Sequence, residues 1–175
     1  MNLKELKKPL EIKDIDFRIQ SINKGGYATI LAYKDARVDM NRLDNVCGAE
    51  YWKREHFDNN KKCKVSIWNE AIKDWVSKED VGTESMTEKE KGLASDSFKR
   101  ACFNWGIGRE LYDYPMIKIK LDAKEFEVKD GRAKQTWDLK LKEWTWGSEF
   151  KDGVLVKLAA KDDNGKLRFN WKLEN

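Results

Sequence analysis

The segment Lys91–Tyr112 reads KGLASDSFKRACFNWGIGRELY and contains the clearest helical pattern of the chain. At about 100° per residue, the apolar side chains of a helix that ends near Trp105 fall on a single stripe. This stripe predicts the face that the helix turns toward a core. Its members are Ala94, Phe98, Ala101, Cys102 and Trp105.

The ends of this helix are also predicted. Thr87 and Glu90 match the T-x-x-E capping box, which is typical of a helix start. Gly106 and Gly108 predict its end. The side opposite the apolar stripe carries two adjacent cations beside an aromatic ring, which suits a phosphate backbone and a base, although such a pair is often only a solvated face. The residues of that side are Lys89, Asp96, Lys99, Arg100 and Phe103.

The residues before this helix alternate between apolar and polar side chains. Asp16–Ile22 and Tyr27–Tyr33 flank Asn23-Lys24-Gly25-Gly26, which predicts a β-hairpin. Val38, Leu43 and Val46 then predict a helix over 35–46 that stops at Gly48. A short amphipathic helix is expected around Leu3, Leu6 and Leu10. Three further strands are predicted over Tyr51–Phe57, Lys62–Trp68 and Asp74–Val81.

Alternating segments continue after Tyr114, separated by turn pairs such as Asp130-Gly131 and Asp152-Gly153. The predicted strands there are MIKIKL, EFEV, TWDLKLKEWTW, GVLVKLAA and KLRFNW. Trp144 and Trp146 lie two residues apart, so they share a strand face and are expected in a core. Five leading strands, two helices and a β-rich tail predict an α+β fold. We expect a single domain over residues 1–175, with 113–175 as a β-rich extension.

Composition narrows the class of protein. The 175 residues include 35 Lys+Arg and 31 Asp+Glu, so a nucleic-acid binder would have to gather its cations on one face. The three cysteines are far apart and His56 is the one histidine, which disfavours zinc and disulfides and predicts reduced, mostly buried thiols. No apolar run suits a signal peptide or a membrane span, and a cytoplasmic location is expected.

The segment from Lys91 to Tyr112 resembles the helix that marks the Rad52/Rad22 family, which comprises eukaryotic annealing proteins and their phage recombinase relatives. The similarity is carried by SDSFKRA and GIGRELY, and upstream by RLDNVCG within FRIQSINKGGYATILAYKDARVDMNRLDNVCGAEYW. The pair KCKVSIWN and DWVSKEDVGTESM resembles the long β-hairpin of the family. The resemblance extends from about Asp16 to Tyr112 and is close to the phage recombinase type.

The resemblance implies an antiparallel β-sheet packed on this helix, as a β-β-β-α core. It also implies homo-oligomeric rings or helical filaments whose outer, positively charged groove holds single-stranded DNA by its backbone. Complementary strands would then be annealed in recombination and repair without ATP, cofactor, metal or catalytic residues. This implies a non-enzymatic protein of the cytoplasm, bacterial if the gene belongs to a phage. A single-strand-binding protein or an exonuclease is a candidate partner.

Site residues follow from the same resemblance. Lys99 and Arg100 match adjacent groove cations of the family, and Arg37 matches the basic residue that opens the earlier helix, where a buttressing role is the alternative. Arg18 matches a further cation on the first strand. Phe103 stands where relatives carry a cation, so base stacking is one replacement for that charge.

Other basic residues follow from position alone. Arg109, just after the helix end, is a second candidate for the charge absent at position 103, with capping of carbonyls as its alternative. Lys53 and Arg54 lie near a strand turn and would extend a basic surface, with ordinary solvated charges as the alternative.

Two other functions remain open from the sequence. Glu84, Glu88 and Glu90 near Lys89 and Lys91 resemble the carboxylate–lysine sites of metal-dependent nucleases, although Glu88 and Glu90 point in different directions on a helix. A DNA-binding module that does not anneal is the second, because a fold does not dictate a function. Degradation of DNA with magnesium would favour the first, and preference for one duplex sequence the second.

Overall fold

The structure is a computed structural model, which describes residues 1–83 and 89–174, and for 89–91 the backbone alone. Thr87 of the predicted capping box therefore lies outside the described residues, as does the side chain of Glu90. In chain order the elements are β1 Asp16–Ile22, β2 Tyr27–Tyr33, α1 Ala36–Cys47, β3 Trp52–Phe57, β4 Lys62–Asn69, β5 Asp74–Val81, α2 Lys89–Trp105, β6 Ile117–Lys120, β7 Phe126–Lys129, β8 Arg132–Gln135, β9 Thr145–Lys151, β10 Val154–Lys161 and β11 Leu167–Lys172. Short 3-10 helices occupy Leu3–Lys7, Ile12–Asp14, Arg109–Asp113 and Leu141–Glu143.

The predicted α+β class is confirmed, because in the described residues every strand pair is antiparallel and two α-helices accompany the strands. The chain forms two compact units. The first consists of Met1–Leu10 and Lys34–Arg109, and the second of Glu11–Tyr33 and Glu110–Asn175. One functional domain over the whole chain stays a prediction.

The first unit is a three-stranded sheet, in the order β3-β4-β5, with α2 packed on one face. Strand β4 is central, and its alternate side chains Cys63, Val65 and Ile67 are at most 1% exposed. The predicted stripe of α2 meets them, because Phe98 is fully buried and the Trp105 indole donates a hydrogen bond to the Val65 carbonyl at 3.1 Å. The sheet and the helix thus share one core.

Helix α1 begins at its N-cap Asp35, whose carboxylate accepts a hydrogen bond from the Arg37 backbone, and Gly48 ends it with a φ of +90°. Its buried positions are Asp39, Leu43 and Cys47, which are spaced four residues apart. An acidic residue therefore occupies the stripe of α1 that faces the core.

The second unit contains the sheets β1-β2-β6, β7-β8 and β11-β10-β9. The predicted hairpin of β1 and β2 is confirmed at the predicted bounds. The predicted strand TWDLKLKEWTW is wrong in its first part, since residues 136–144 form turns and a 3-10 helix, and β9 begins only at Thr145. Leu139 and Leu141 are nevertheless buried, so the alternation of apolar and polar residues reflects side-chain burial from a backbone that is not a strand.

The predicted core position of Trp144 is confirmed, whereas its strand face shared with Trp146 is wrong, because β9 begins at Thr145. Trp144 is buried and Trp146 is half-buried, with ring centroids 6.5 Å apart. Phe17 of β1 stacks on Trp146 at 3.7 Å between ring centroids. These rings close the core of the second unit.

Candidate nucleic-acid interface

The two adjacent cations of α2 lie off its buried stripe, and both side chains are half-buried. Arg100 turns toward β5, where its Nε lies 3.4 Å from an Asp80 carboxylate oxygen and donates no hydrogen bond to any described residue. After the hydrogen bonds from Arg37, the positive charge of Lys99 also helps to lower the pKa of Asp35, the N-cap of α1. The two cations therefore have different acidic neighbours, Asp80 of β5 for Arg100 and Asp35 for Lys99.

Arg37 stands in the first turn of α1 with its side chain 80% exposed. Its Nε donates a hydrogen bond of 2.8 Å to the carboxylate of the N-cap Asp35. This hydrogen bond is the main reason why the pKa of Asp35 is lowered. Arg37 thus buttresses the start of α1, as the sequence allowed, and brings an exposed guanidinium to the side of α2 on which Lys99 lies.

Phe103 faces a lysine. The ammonium of Lys34 lies 4.5 Å from the centroid of the Phe103 ring and donates a hydrogen bond of 3.1 Å to the Ile107 carbonyl. Lys34 is 2% exposed and forms an ion pair with Asp39, which is fully buried. The aromatic ring at this position therefore covers a buried cation.

Sequence reasoning missed Lys34 and Asp39. A lysine directly after a strand is ordinarily solvated, so no pattern marks Lys34. Asp39 did carry a signal, because it shares four-residue spacing with Leu43 and Cys47. An acid on a buried stripe needs a buried partner.

Arg109 caps α2. Its guanidinium donates hydrogen bonds to the Phe103 carbonyl at 2.7 and 3.1 Å and to the Asn104 carbonyl at 3.3 Å. A cation at this end also complements the negative end of the helix dipole. The capping role that the sequence allowed is thus present, while a DNA contact by Arg109 stays a prediction.

Lys53 and Arg54 are both exposed but extend from opposite faces of β3, as neighbouring strand residues must. The Lys53 ammonium lies 4.7 Å from the centroid of Trp75. The Arg54 guanidinium lies 4.8 Å from the centroid of Phe98, on the side of α2. The structure therefore does not join these two residues into one basic patch.

Arg18 belongs to the second unit, where it is exposed on β1 with its guanidinium 5.2 Å from the centroid of Tyr33. The other seven candidate residues belong to the first unit. Within that unit Lys99 and Arg37 lie on the α1 side, and Arg100 lies on the β5 side.

Of the acidic residues proposed for a nuclease site, Glu84 and Glu88 lie outside the described residues, and Glu90 is described by its backbone alone. Among described residues, no group of three or more His, Cys, Asp or Glu side chains is placed to hold a metal ion. Nor does any helix in the described ranges have the length and apolar character that a membrane crossing requires.

All three cysteines are buried, reduced and located in the first unit. Burial raises the pKa of Cys47 and of Cys63 to about 11 each, and that of Cys102 well above its ordinary value. The prediction of reduced core thiols is confirmed.

This architecture, a three-stranded antiparallel sheet packed on a helix that carries Lys-Arg on its outer side, defines a β-β-β-α protein. Residues 2–129 match the family described as Rad52/22 family double-strand break repair protein. This match spans most of the chain, and the chain belongs to that family.

One relative is the single-stranded DNA-binding protein DdrA of Deinococcus radiodurans. The two are 31% identical over 115 residues, which cover 64% of this chain and 55% of DdrA. The chain thus spans about half the length of this relative.

Proposed function

We propose that the protein binds single-stranded DNA and anneals complementary strands without ATP, in homologous recombination and DNA repair. The observation that carries the proposal is the placement of Lys99 and Arg100 on α2, off its buried stripe and inside the region that matches the family. The name of the relative DdrA, a single-stranded DNA-binding protein, supports the same ligand.

The arrangement suits a phosphate backbone. Lys99 and Arg37 bring two cations to the start of α1, where the Asp35 carboxylate already binds Arg37, so a phosphate there would compete with that carboxylate. The Nε of Arg100 lies 3.4 Å from an Asp80 carboxylate oxygen, so a phosphate would compete with that carboxylate for the guanidinium. Contacts to phosphate carry no sequence information and leave base edges available to a second strand. Annealing makes and breaks no covalent bond, so cations suffice for it.

The first test changes both cations of α2. Lys99→Ala with Arg100→Ala should weaken binding of a labelled oligothymidylate and lower the salt slope, log Kd against log salt, by about 1.4, since each lost phosphate contact is worth about 0.7. Fluorescence anisotropy over a salt series measures both.

The matched control is Lys151→Ala with Lys172→Ala, which removes two exposed lysines of the second unit. It should leave the slope unchanged. An unaltered slope in the α2 variant would take Lys99 and Arg100 out of the site. Wild-type protein that does not speed the pairing of two complementary oligonucleotides without ATP would refute annealing.

We also propose that the protein acts as a homo-oligomer, either a ring or a helical filament. Within the described residues β3 and β5 are the edge strands of the first unit's sheet, and open edges are suited to pairing with another copy. Light scattering should give a mass many times 20.6 kDa. A monomer at all concentrations would refute this. A single-strand-binding protein or an exonuclease remains a proposed partner.

A further inference from the structure

A cleft of about 880 Å³ lies in the second unit. One wall is formed by residues 17–22 of β1, which is an edge strand of its sheet in the described residues. The other wall is formed by residues 133–137 and 139–143, beyond residue 129, where the match to the family ends. The cleft is thus built partly from a segment that the family does not account for.

The charges of this cleft are unbalanced. Its cations are Arg18, Lys134, Lys140 and Lys142, and its one carboxylate is Glu143. Lys140 lies 3.7 Å from Glu143 and 3.8 Å from a carboxylate outside the cleft, that of Asp163. Lys134 and Lys142 form no ion pair with any residue that the structure describes. This surplus of cations favours a polyanion as the occupant.

Trp137 lines the same cleft and is 99% exposed. The turn that carries it is fixed, because Thr136 donates a backbone hydrogen bond of 3.0 Å to the Glu125 carbonyl and accepts one of 3.3 Å from Leu139. Leu139 is also buried in the core just after the turn. An indole held on a fixed turn with its faces open is a stacking platform for an unpaired base.

We propose that this cleft binds a single strand of nucleic acid, with Trp137 stacking on a base and Arg18, Lys134 and Lys142 contacting phosphates. The inference rests on the proposed binding of single-stranded DNA and adds a contact region beyond the matched part of the chain. An acidic peptide would use the same cations, but an open indole face suits a flat base better than a side chain that needs a socket.

The test changes the ring and the cations separately. Trp137→Ala should weaken binding of an oligothymidylate about 5-fold or more, since stacking contributes about 1–3 kcal/mol per base. Trp137→Phe should keep most of the affinity, because it keeps a ring. Lys134→Ala with Lys142→Ala should instead lower the salt slope by about 1.4. Anisotropy gives the affinities, and quenching of tryptophan fluorescence on DNA addition should shrink in Trp137→Phe.

The outcomes separate this inference from the proposed function. A wild-type protein that binds no single-stranded DNA refutes the proposed function and the cleft together. Wild-type binding that is weakened by Lys99→Ala with Arg100→Ala, but equal in Trp137→Ala, overturns the cleft alone. So does a Trp137→Ala variant that loses binding of a labelled polyglutamate peptide while DNA binding is unchanged. Because Trp137 is exposed, equal melting temperatures are expected and serve as the folding control.

Discussion

At the scale of single residues, Lys34 is a lysine buried in the core of the first unit. Its ammonium is enclosed by the Asp39 carboxylate, the Ile107 carbonyl and the Phe103 ring. The second carboxylate oxygen of Asp39 is buried and accepts no hydrogen bond from any described residue. Burial lowers the pKa of Lys34, which opposes the effect of its acidic partner. The pair is therefore costly to split.

Lys34→Met should destabilise the protein by about 3–5 kcal/mol, because it leaves the Asp39 charge buried without its cation. The double change Lys34→Met with Asp39→Leu should recover most of that loss, since an apolar pair of similar volume has no charge to desolvate. Urea unfolding measures the free energies. A single variant as stable as the wild type would contradict the pairing.

The pH dependence of stability follows from Asp39. Burial raises the pKa of its carboxyl to about 6, against an ordinary value of 3.8. Between about pH 4 and 6 the Asp39 carboxyl is therefore protonated in the folded state and ionised in the unfolded state. Its contribution to stability is complete below about pH 4 and is lost as the pH rises through 6. We expect the stability of the wild type to fall relative to Asp39→Asn over that window. Urea titrations at pH 4 to 7 would show it, and parallel curves would argue against it.

At the scale of elements, the turn after α2 requires glycine at position 108. Gly108 has a φ of +69°, and a Cβ there would lie 2.7 Å from the Cε of Lys34. Gly153 has a φ of +82° with nothing within 4 Å of its Cβ position. Both glycines thus have a left-handed backbone, but only Gly108 is closely packed.

Gly153→Ala should therefore cost about 1–2 kcal/mol for the left-handed backbone alone. Gly108→Ala should cost about 1–3 kcal/mol more, because the added methyl must displace the stem of Lys34. Thermal and urea unfolding of both variants gives the difference. Equal costs would mean that Lys34 moves aside without loss.

The sequence predicted best those elements in which the spacing of apolar side chains agrees with the glycine turns at their ends. Hairpin β1–β2 has clean alternation around a glycine turn, and α2 has a stripe followed by two glycines. The segment 136–144 was mistaken for a strand because Leu139, Leu141 and the buried Trp144 alternate as in a strand. Their backbones form turns, which side-chain spacing alone does not reveal.

At the scale of the whole molecule, the division into two units could not be predicted. The chain passes between them after Leu10, Tyr33 and Arg109, and the sequence shows no linker or shift of composition at these points. The family resemblance found Lys99 and Arg100 as candidates. It could not indicate which acidic residues they lie near, because Asp80 and Asp35 come from other elements.

The buried thiols have a practical consequence. Cys47, Cys63 and Cys102 all belong to the first unit, and the second has none. A maleimide dye should react only when the first unit opens, since the thiols are buried and almost none is a thiolate at neutral pH. The labelling rate then measures how often the first unit opens, and opening of the second unit does not contribute to it. A cysteine introduced into the second unit would report opening of that unit in the same way.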